Sequence, residues 1–117
     1  MPSLRDLVAA IRRRDGVEAA VVLGRDGLLI DGQAVPGLSA EDIAARIPSI
    51  IAPADELSGA LGRGPLMTAV LEYQQGLAVV SALSSEALLL VLVRSGANVG
   101  QLLFELRRNR EHIASLV

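Results

Sequence analysis

A single histidine, His112, is the one side chain available for general acid–base work or imidazole ligation near neutral pH. A tetrahedral metal site needs several converging ligands, and a chain with one His and no Cys offers no such set. A serine triad would draw on the same His112, and no GxSxG elbow accompanies it. The stretch GALGRGP (59–65) has spaced glycines but no Gly-Lys-Ser/Thr, so it reads as a helix stop and sharp turn, not a phosphate loop. Arg12, Arg13 and Arg14 form a basic run that suits an anion patch or, the reading taken here, a solvated helix end complementing the dipole. Asp26, Asp31 and Asp42 fall on a turn, a strand end and a helix cap, where Asp is ordinarily used. No catalytic, cofactor-binding or metal-binding constellation emerges. The sequence reads as a binding module and not an enzyme.

The elements that carry these residues are legible from periodicity and punctuation. Ser3 followed by Asp6 has the form of a helix cap, and Leu4, Leu7, Val8 and Ile11 make one helical stripe ending near Gly16. Two apolar runs joined by Arg25-Asp26-Gly27 predict a β-hairpin over about 18–24 and 28–32, Gly27 supplying the positive φ of its turn. After Pro36-Gly37, Ser39 with Asp42 resembles a second cap. From there Ile43, Ile47, Ile50, Ala54, Leu57 and Leu61 recur at helical spacing. Pro48 and Pro53 interrupt that seam, which predicts a kink or two helical pieces, the second starting at Pro53. Three strands, about 65–73, 77–83 and 87–94, follow with short connections that favour antiparallel pairing. A closing helix begins near Asn98, with Val99, Leu102, Leu103, Leu106, Ile113 and Leu116 on one side. The order is αββαβββα, an α+β domain with a five-stranded antiparallel sheet between helices, and residues 1–117 form one domain.

Composition narrows the function classes. With 117 residues, 51% of them hydrophobic, the chain can bury a core without disulfides or metal. Aromatics make up 2% and the net charge is −2, so neither stacking platforms nor a basic surface favours nucleic acid as a partner. The run ALLLVLV (87–93) is far shorter than the roughly 20 residues of a membrane-spanning helix. The opening MPSLRDLVAAIRRRDG carries its charges after the apolar stretch, unlike a secretion signal, and a cytoplasmic protein without direct membrane insertion is expected.

Five strands at about 4.8 Å spacing make a sheet about 24 Å wide, whereas a helix covers about 10 Å. ALLLVLV and AAVVL are apolar at consecutive positions, so their strands are covered on both faces. The first and last helices can cover one face, and only the middle segment remains for the other. It is too narrow. A second copy of that helix across a two-fold axis would complete the layer, making Ile43, Ile47, Ile50, Ala54, Leu57 and Leu61 the expected dimer interface. Some of these must face their own sheet, and Ile50 and Leu57 are singled out as contributors to the subunit contact. A monomer with a solvated sheet margin is the alternative.

This order, with its residues, resembles the Roadblock family of the dynein-light-chain superfamily, a branch of the profilin-like folds. LVAAIRRRDGVEAAVVLGRDGLLIDG is similar to the family's opening helix, its Gly-Val lead into the first strand, and its hairpin. GLAVVSAL and ALLLVLV resemble its two central strands, and ANVGQLLFEL resembles the start of its closing helix. Pro48 and Pro53 depart from the family's uninterrupted middle helix. The resemblance implies a homodimer and a platform for a small Ras-like GTPase, as in bacterial MglB-type regulators. It supplies no cofactor and no catalytic residue that maps onto this chain. The alternative is a structural subunit of a motor or membrane-associated signalling complex without nucleotide-dependent binding. For partner docking, the polar flank of the middle segment is expected: Glu41, Asp42, Arg46, Asp55 and Glu56.

Overall fold

A computed structural model describes residues 3–117. Its elements are α1 (Leu4–Arg12), β1 (Val17–Gly24), β2 (Leu29–Ala34), α2 (Ala40–Arg46), α3 (Pro48–Leu61), β3 (Thr68–Tyr73), β4 (Gly76–Ala82), β5 (Ala87–Arg94), α4 (Val99–Arg108) and α5 (Arg110–Ser115). The five strands form one antiparallel sheet in the order β2-β1-β5-β4-β3, so the expected α+β architecture holds.

Local chemistry sets most of the boundaries. Ser3 Oγ accepts from the Asp6 N–H at 3.2 Å while the Asp6 carboxylate accepts from the Ser3 N–H at 3.1 Å, a reciprocal box that satisfies two orphan donors of α1. Ser39 Oγ accepts from the Asp42 N–H at 3.1 Å and caps α2 through this one bond, without the return bond. Between β1 and β2 the Gly27 N–H donates to Gly24 O at 2.9 Å, with Gly27 at φ 90° and the Asp26 carboxylate accepting from the Leu28 N–H. That left-handed φ is open to glycine at no steric cost.

The sheet is the middle of three layers. On one face α1, α4 and α5 bring Val8, Ile11, Leu102, Leu106 and Ile113 against Val22, Val79, Leu89 and Val91. On the other, Ala44, Ile47 and Ile51 from α2 and the first turn of α3 meet Val21, Leu23, Val80, Leu88 and Leu90. Strands β1 and β5 therefore bury side chains on both faces, which is why their apolar residues run consecutively. Edge strand β3 is different, keeping Val70 and Tyr73 exposed.

Two expectations need correction. The middle segment does divide, but at Ile47–Pro48: Pro48 takes the first helical position of α3 and Pro53 lies inside it. Pro48 at that position loses only a donor that had no intrahelical partner, and its fixed φ suits a helix start. Pro53 leaves the Ser49 carbonyl without its usual donor, and both residues are exposed, so water can reach that group. The closing helix also divides, at Asn109. There the Asn109 side chain and backbone N–H both donate to Glu105 O, at 2.9 and 3.0 Å, ending α4 before α5 starts.

Candidate partner-binding surface

Helix α3 is the least anchored element facing the sheet. Of its 14 residues only Ile51 is buried. Ile43 and Ile47, the first two members of the sequence seam, pack into the chain's own core, with Ile47 buried and Ile43 partly so. Beyond Pro48 the seam turns outward. Ile50, Leu57 and Leu61 are exposed by 38%, 54% and 56%, and half-buried Ala54 lies on the same side. Three large aliphatic side chains at helical spacing on one open face form an apolar stripe that its own sheet does not cover.

The inward side of α3 carries a polar anchor instead. Asp55 Oδ1 accepts from the Leu66 N–H at 3.2 Å, and its Oδ2 lies 3.5 Å from the Arg25 guanidinium. Arg25 in turn donates through Nε to Ser84 O at 3.3 Å, and its N–H donates to Glu86 O at 3.0 Å. Asp55 thus ties α3 to the hairpin turn and to the segment entering β3. The structure gives this carboxylate a fixed job inside the fold, unlike its neighbour Glu56, which is exposed.

The other expected docking residues lie on α2. Glu41, Asp42 and Arg46 are exposed, and Arg46 Nε donates to Asp42 at 3.2 Å across one helical turn. An exposed pair of this kind contributes about 0.3–0.5 kcal/mol, so both groups remain available to a partner. Glu41, Asp42 and Arg46 therefore sit together, whereas Asp55 and Glu56 line a separate cleft of about 340 Å³ with Arg25, Pro48 and Ile51.

Sequence reasoning did not find the apolar part of this surface. Leu28, exposed by 69%, is followed by exposed Leu29 and Ile30 at the start of β2. The preceding turn rests directly on the α2–α3 junction: a Cβ on Gly27 would stand 3.2 Å from Pro48 Cγ and 3.5 Å from Ala44 O. Three consecutive exposed aliphatic residues therefore follow a turn that packs on the α2–α3 junction. An apolar centre beside a polar rim is the anatomy of a protein–protein contact. The signal available in the sequence was the run Leu28-Leu29-Ile30, apolar at consecutive positions at a strand that the topology puts on a sheet edge.

The groups first considered for chemistry are dispersed. Arg12 Nη1 donates to Val17 O at 2.9 Å and Arg14 pairs with Glu105, so two members of the basic run hold α1 to its surroundings. His112 is exposed on α5. The hydrogen bonds from the Ser3 backbone and hydroxyl draw the Asp6 carboxyl below the ordinary aspartate range, as expected of a cap partner. Among the described residues no three His, Asp or Glu side chains converge on a point, and no helix is long and apolar enough to cross a membrane.

A helical layer, an antiparallel sheet and a second helical layer in the order αββααβββαα, with one helix face left uncovered, define a small three-layer α+β domain of the Roadblock type. Residues 4–93 match the Roadblock/LC7 domain family, and the chain belongs to it. Its fold is shared with a Roadblock/LC7 domain from Streptomyces avermitilis, 24% identical, covering 95% of this chain and 94% of that one with a TM-score of 0.83. It is likewise shared with Myxococcus xanthus MglB, 10% identical, covering 97% and 93% of the two chains with a TM-score of 0.86. An uncharacterized protein of Methanocaldococcus jannaschii is 26% identical over 106 residues, 91% of this chain and 89% of that relative.

Proposed function

We propose that the protein is a non-catalytic homodimeric regulatory or scaffold module that binds a small Ras-like GTPase. The observation that carries this reading is the uncovered stripe of α3, Ile50, Leu57 and Leu61, in a helix with only Ile51 buried. A second copy presenting the same stripe across a two-fold axis removes all three side chains from water in both subunits. At about 25 cal/mol per Å² of apolar surface, such a contact supplies several kcal/mol before the cost of association. Membership of the Roadblock/LC7 family and the fold shared with MglB support a GTPase as the second partner. The exposed flank of α2 together with Leu28–Ile30 provides the docking face, and the chain itself contributes no reacting group.

Two measurements test the two halves of this reading. Sedimentation equilibrium at micromolar concentration is expected to give twice the 12.2 kDa chain mass. Immobilised protein offered GTPases from the source cell, loaded with GDP or a GTP analogue, is expected to retain one of them in a nucleotide-dependent manner. Retention that ignores the nucleotide would favour a structural subunit of a larger assembly.

A further inference from the structure

Charge divides between the two helical layers. The layer of α1, α4 and α5, taken over residues 4–16 and 98–117, holds seven of the eleven arginines against four of the thirteen carboxylates, a net +3. Helices α2 and α3 hold Arg46 against Glu41, Asp42, Asp55 and Glu56, a net −3. The domain is therefore electrically two-faced, although the whole chain carries only −2. The acidic layer is the one that presents the α3 stripe and the α2 flank. The basic layer lies across the sheet from it, so pairing of two copies through the stripe leaves the basic layer open.

Most carboxylates of the basic layer are already engaged. Glu105 pairs with Arg14, Asp15 pairs with Arg94 of β5 at 3.0 Å, and Asp6 serves the α1 cap, which leaves exposed Glu111. Arg5, Arg13 and Arg108 are exposed and take part in no ion pair among the described residues. The Arg14–Glu105 contact brings the end of α1 beside the middle of α4. Each partner of that contact is preceded in the chain by an exposed residue, Arg13 in one case and Phe104 in the other. Phe104 is the only phenylalanine of the chain and is 62% exposed, with Arg108 one helical turn further along α4. Arg107 borders the pocket beside Ala54 and Leu61 of the stripe and stands apart from this face.

An exposed phenyl ring beside unpaired arginines on a helical surface suits the headgroup region of an anionic bilayer. The ring enters the acyl boundary while guanidinium groups meet phosphate oxygens. We propose that the α1–α4 face is a peripheral docking surface for a bilayer containing anionic phospholipid. Phe104 is what favours lipid over an acidic protein surface, which would answer the arginines but leave the ring in water. The same bilayer repels the acidic layer, so the charge division also sets the orientation, with the α2 flank turned away from lipid. The contact stays at the surface, since no helix among the described residues is long and apolar enough to cross. The proposal goes beyond the GTPase reading and does not require it.

Co-sedimentation of the full chain with extruded vesicles tests the face. Vesicles of equal parts phosphatidylcholine and phosphatidylglycerol are expected to retain the protein at about 0.1 M salt and release it at about 1 M, where the screening length falls from about 10 Å to about 3 Å. Vesicles of phosphatidylcholine alone are expected to retain at least tenfold less. Arg108→Glu and Phe104→Ala, both at exposed positions, are each expected to weaken retention at least tenfold. Arg46→Glu changes the net charge as much as Arg108→Glu but lies in the acidic layer, and it is expected to leave retention within about twofold. Circular dichroism and sedimenting mass of each variant report whether fold and assembly are intact. Equal retention by the two vesicle types would overturn the proposal, as would equal weakening by Arg46→Glu or undiminished retention in the Arg108→Glu/Phe104→Ala variant. Binding to immobilised polyglutamate without binding to vesicles would also overturn it and assign the face to an acidic protein.

Discussion

The Asp55 carboxylate accepts the backbone N–H of Leu66 at 3.2 Å, joining the inward side of α3 to the strand lead that follows it eleven residues later. A helix that buries only Ile51 against its own sheet is held in place by this bond and by the Asp55–Arg25 pair as much as by packing. The carboxylate expected from sequence to meet a partner is thus engaged in positioning the helix that carries the partner surface.

Asp55→Ala is therefore expected to destabilise the fold by about 1–3 kcal/mol, chiefly because a part-buried N–H loses its acceptor. The exposed pair with Arg25 adds at most about 1 kcal/mol. Glu56→Ala, one residue along and exposed, is expected to stay within about 0.5 kcal/mol of the parent. Urea denaturation of both variants checks the contrast, and equal midpoints would refute the anchoring role.

Substitution along the α3 stripe is expected to separate assembly from folding. Ile50→Asp with Leu57→Asp places charge where the chain alone is already solvated, so helical circular dichroism is retained while the sedimenting mass falls toward 12.2 kDa. If the folded chain exists only as a dimer, both signals are lost together with a concentration-dependent midpoint. Ile47→Asp behaves differently: Ile47 is buried in the chain's own core, and an unpaired charge there unfolds the domain at any concentration.

Charge reversal at Arg46 and Glu56 together is expected to weaken GTPase capture while the dimer persists. Loss of the exposed Asp42–Arg46 pair costs well under about 1 kcal/mol, so weakened capture would reflect the surface and not the fold. Leu28→Glu is expected to reduce capture further, since it puts charge in the apolar centre of the docking face. Unchanged capture in both variants, measured against a matched wild-type sample, would move the site to the β3 edge or the outer helices.

Removing the α1 cap has a sign that can be worked out in advance. The Asp6 carboxyl is held below its ordinary value by the Ser3 backbone N–H first and the Ser3 hydroxyl second. A depressed folded pKa means that the contribution is complete above the unfolded value and disappears as pH falls through the folded one. Ser3→Ala removes the second cause and loosens the first, so Asp6 is expected to titrate at higher pH and the variant to gain less stability on raising pH from the acidic limit. A ¹³C-detected carboxyl titration of Asp6 in both proteins measures the shift, and identical titration curves would exclude the cap as its origin.

The amino-acid sequence determined the features whose physics is local. Asp26-Gly27 closes the hairpin because the turn needs an Asx acceptor and a left-handed φ, and Ser3 and Ser39 start helices because their hydroxyls meet orphan N–H groups. Consecutive apolar residues in β1 and β5 announced coverage on both faces, and that coverage is found. The tertiary structure decided which side of α3 faces inward. Ile50, Ala54, Leu57 and Leu61 on one side, and Ile51 and Asp55 on the other, give a helix with a reason to turn either way, and its periodicity favours the side that its own sheet leaves uncovered. Ile47 continues inward to Ile51, and the inward register is completed by a carboxylate whose partners, Leu66 and Arg25, lie 11 and 30 residues away in the chain. Likewise, nothing local in Arg110 shows that its guanidinium will reach Thr68 and Ser81, 42 and 29 residues back. Helical spacing records how side chains repeat along one element; which stripe is buried depends on the acceptors and apolar surface that other elements bring to it, and those exist only once the sheet has formed.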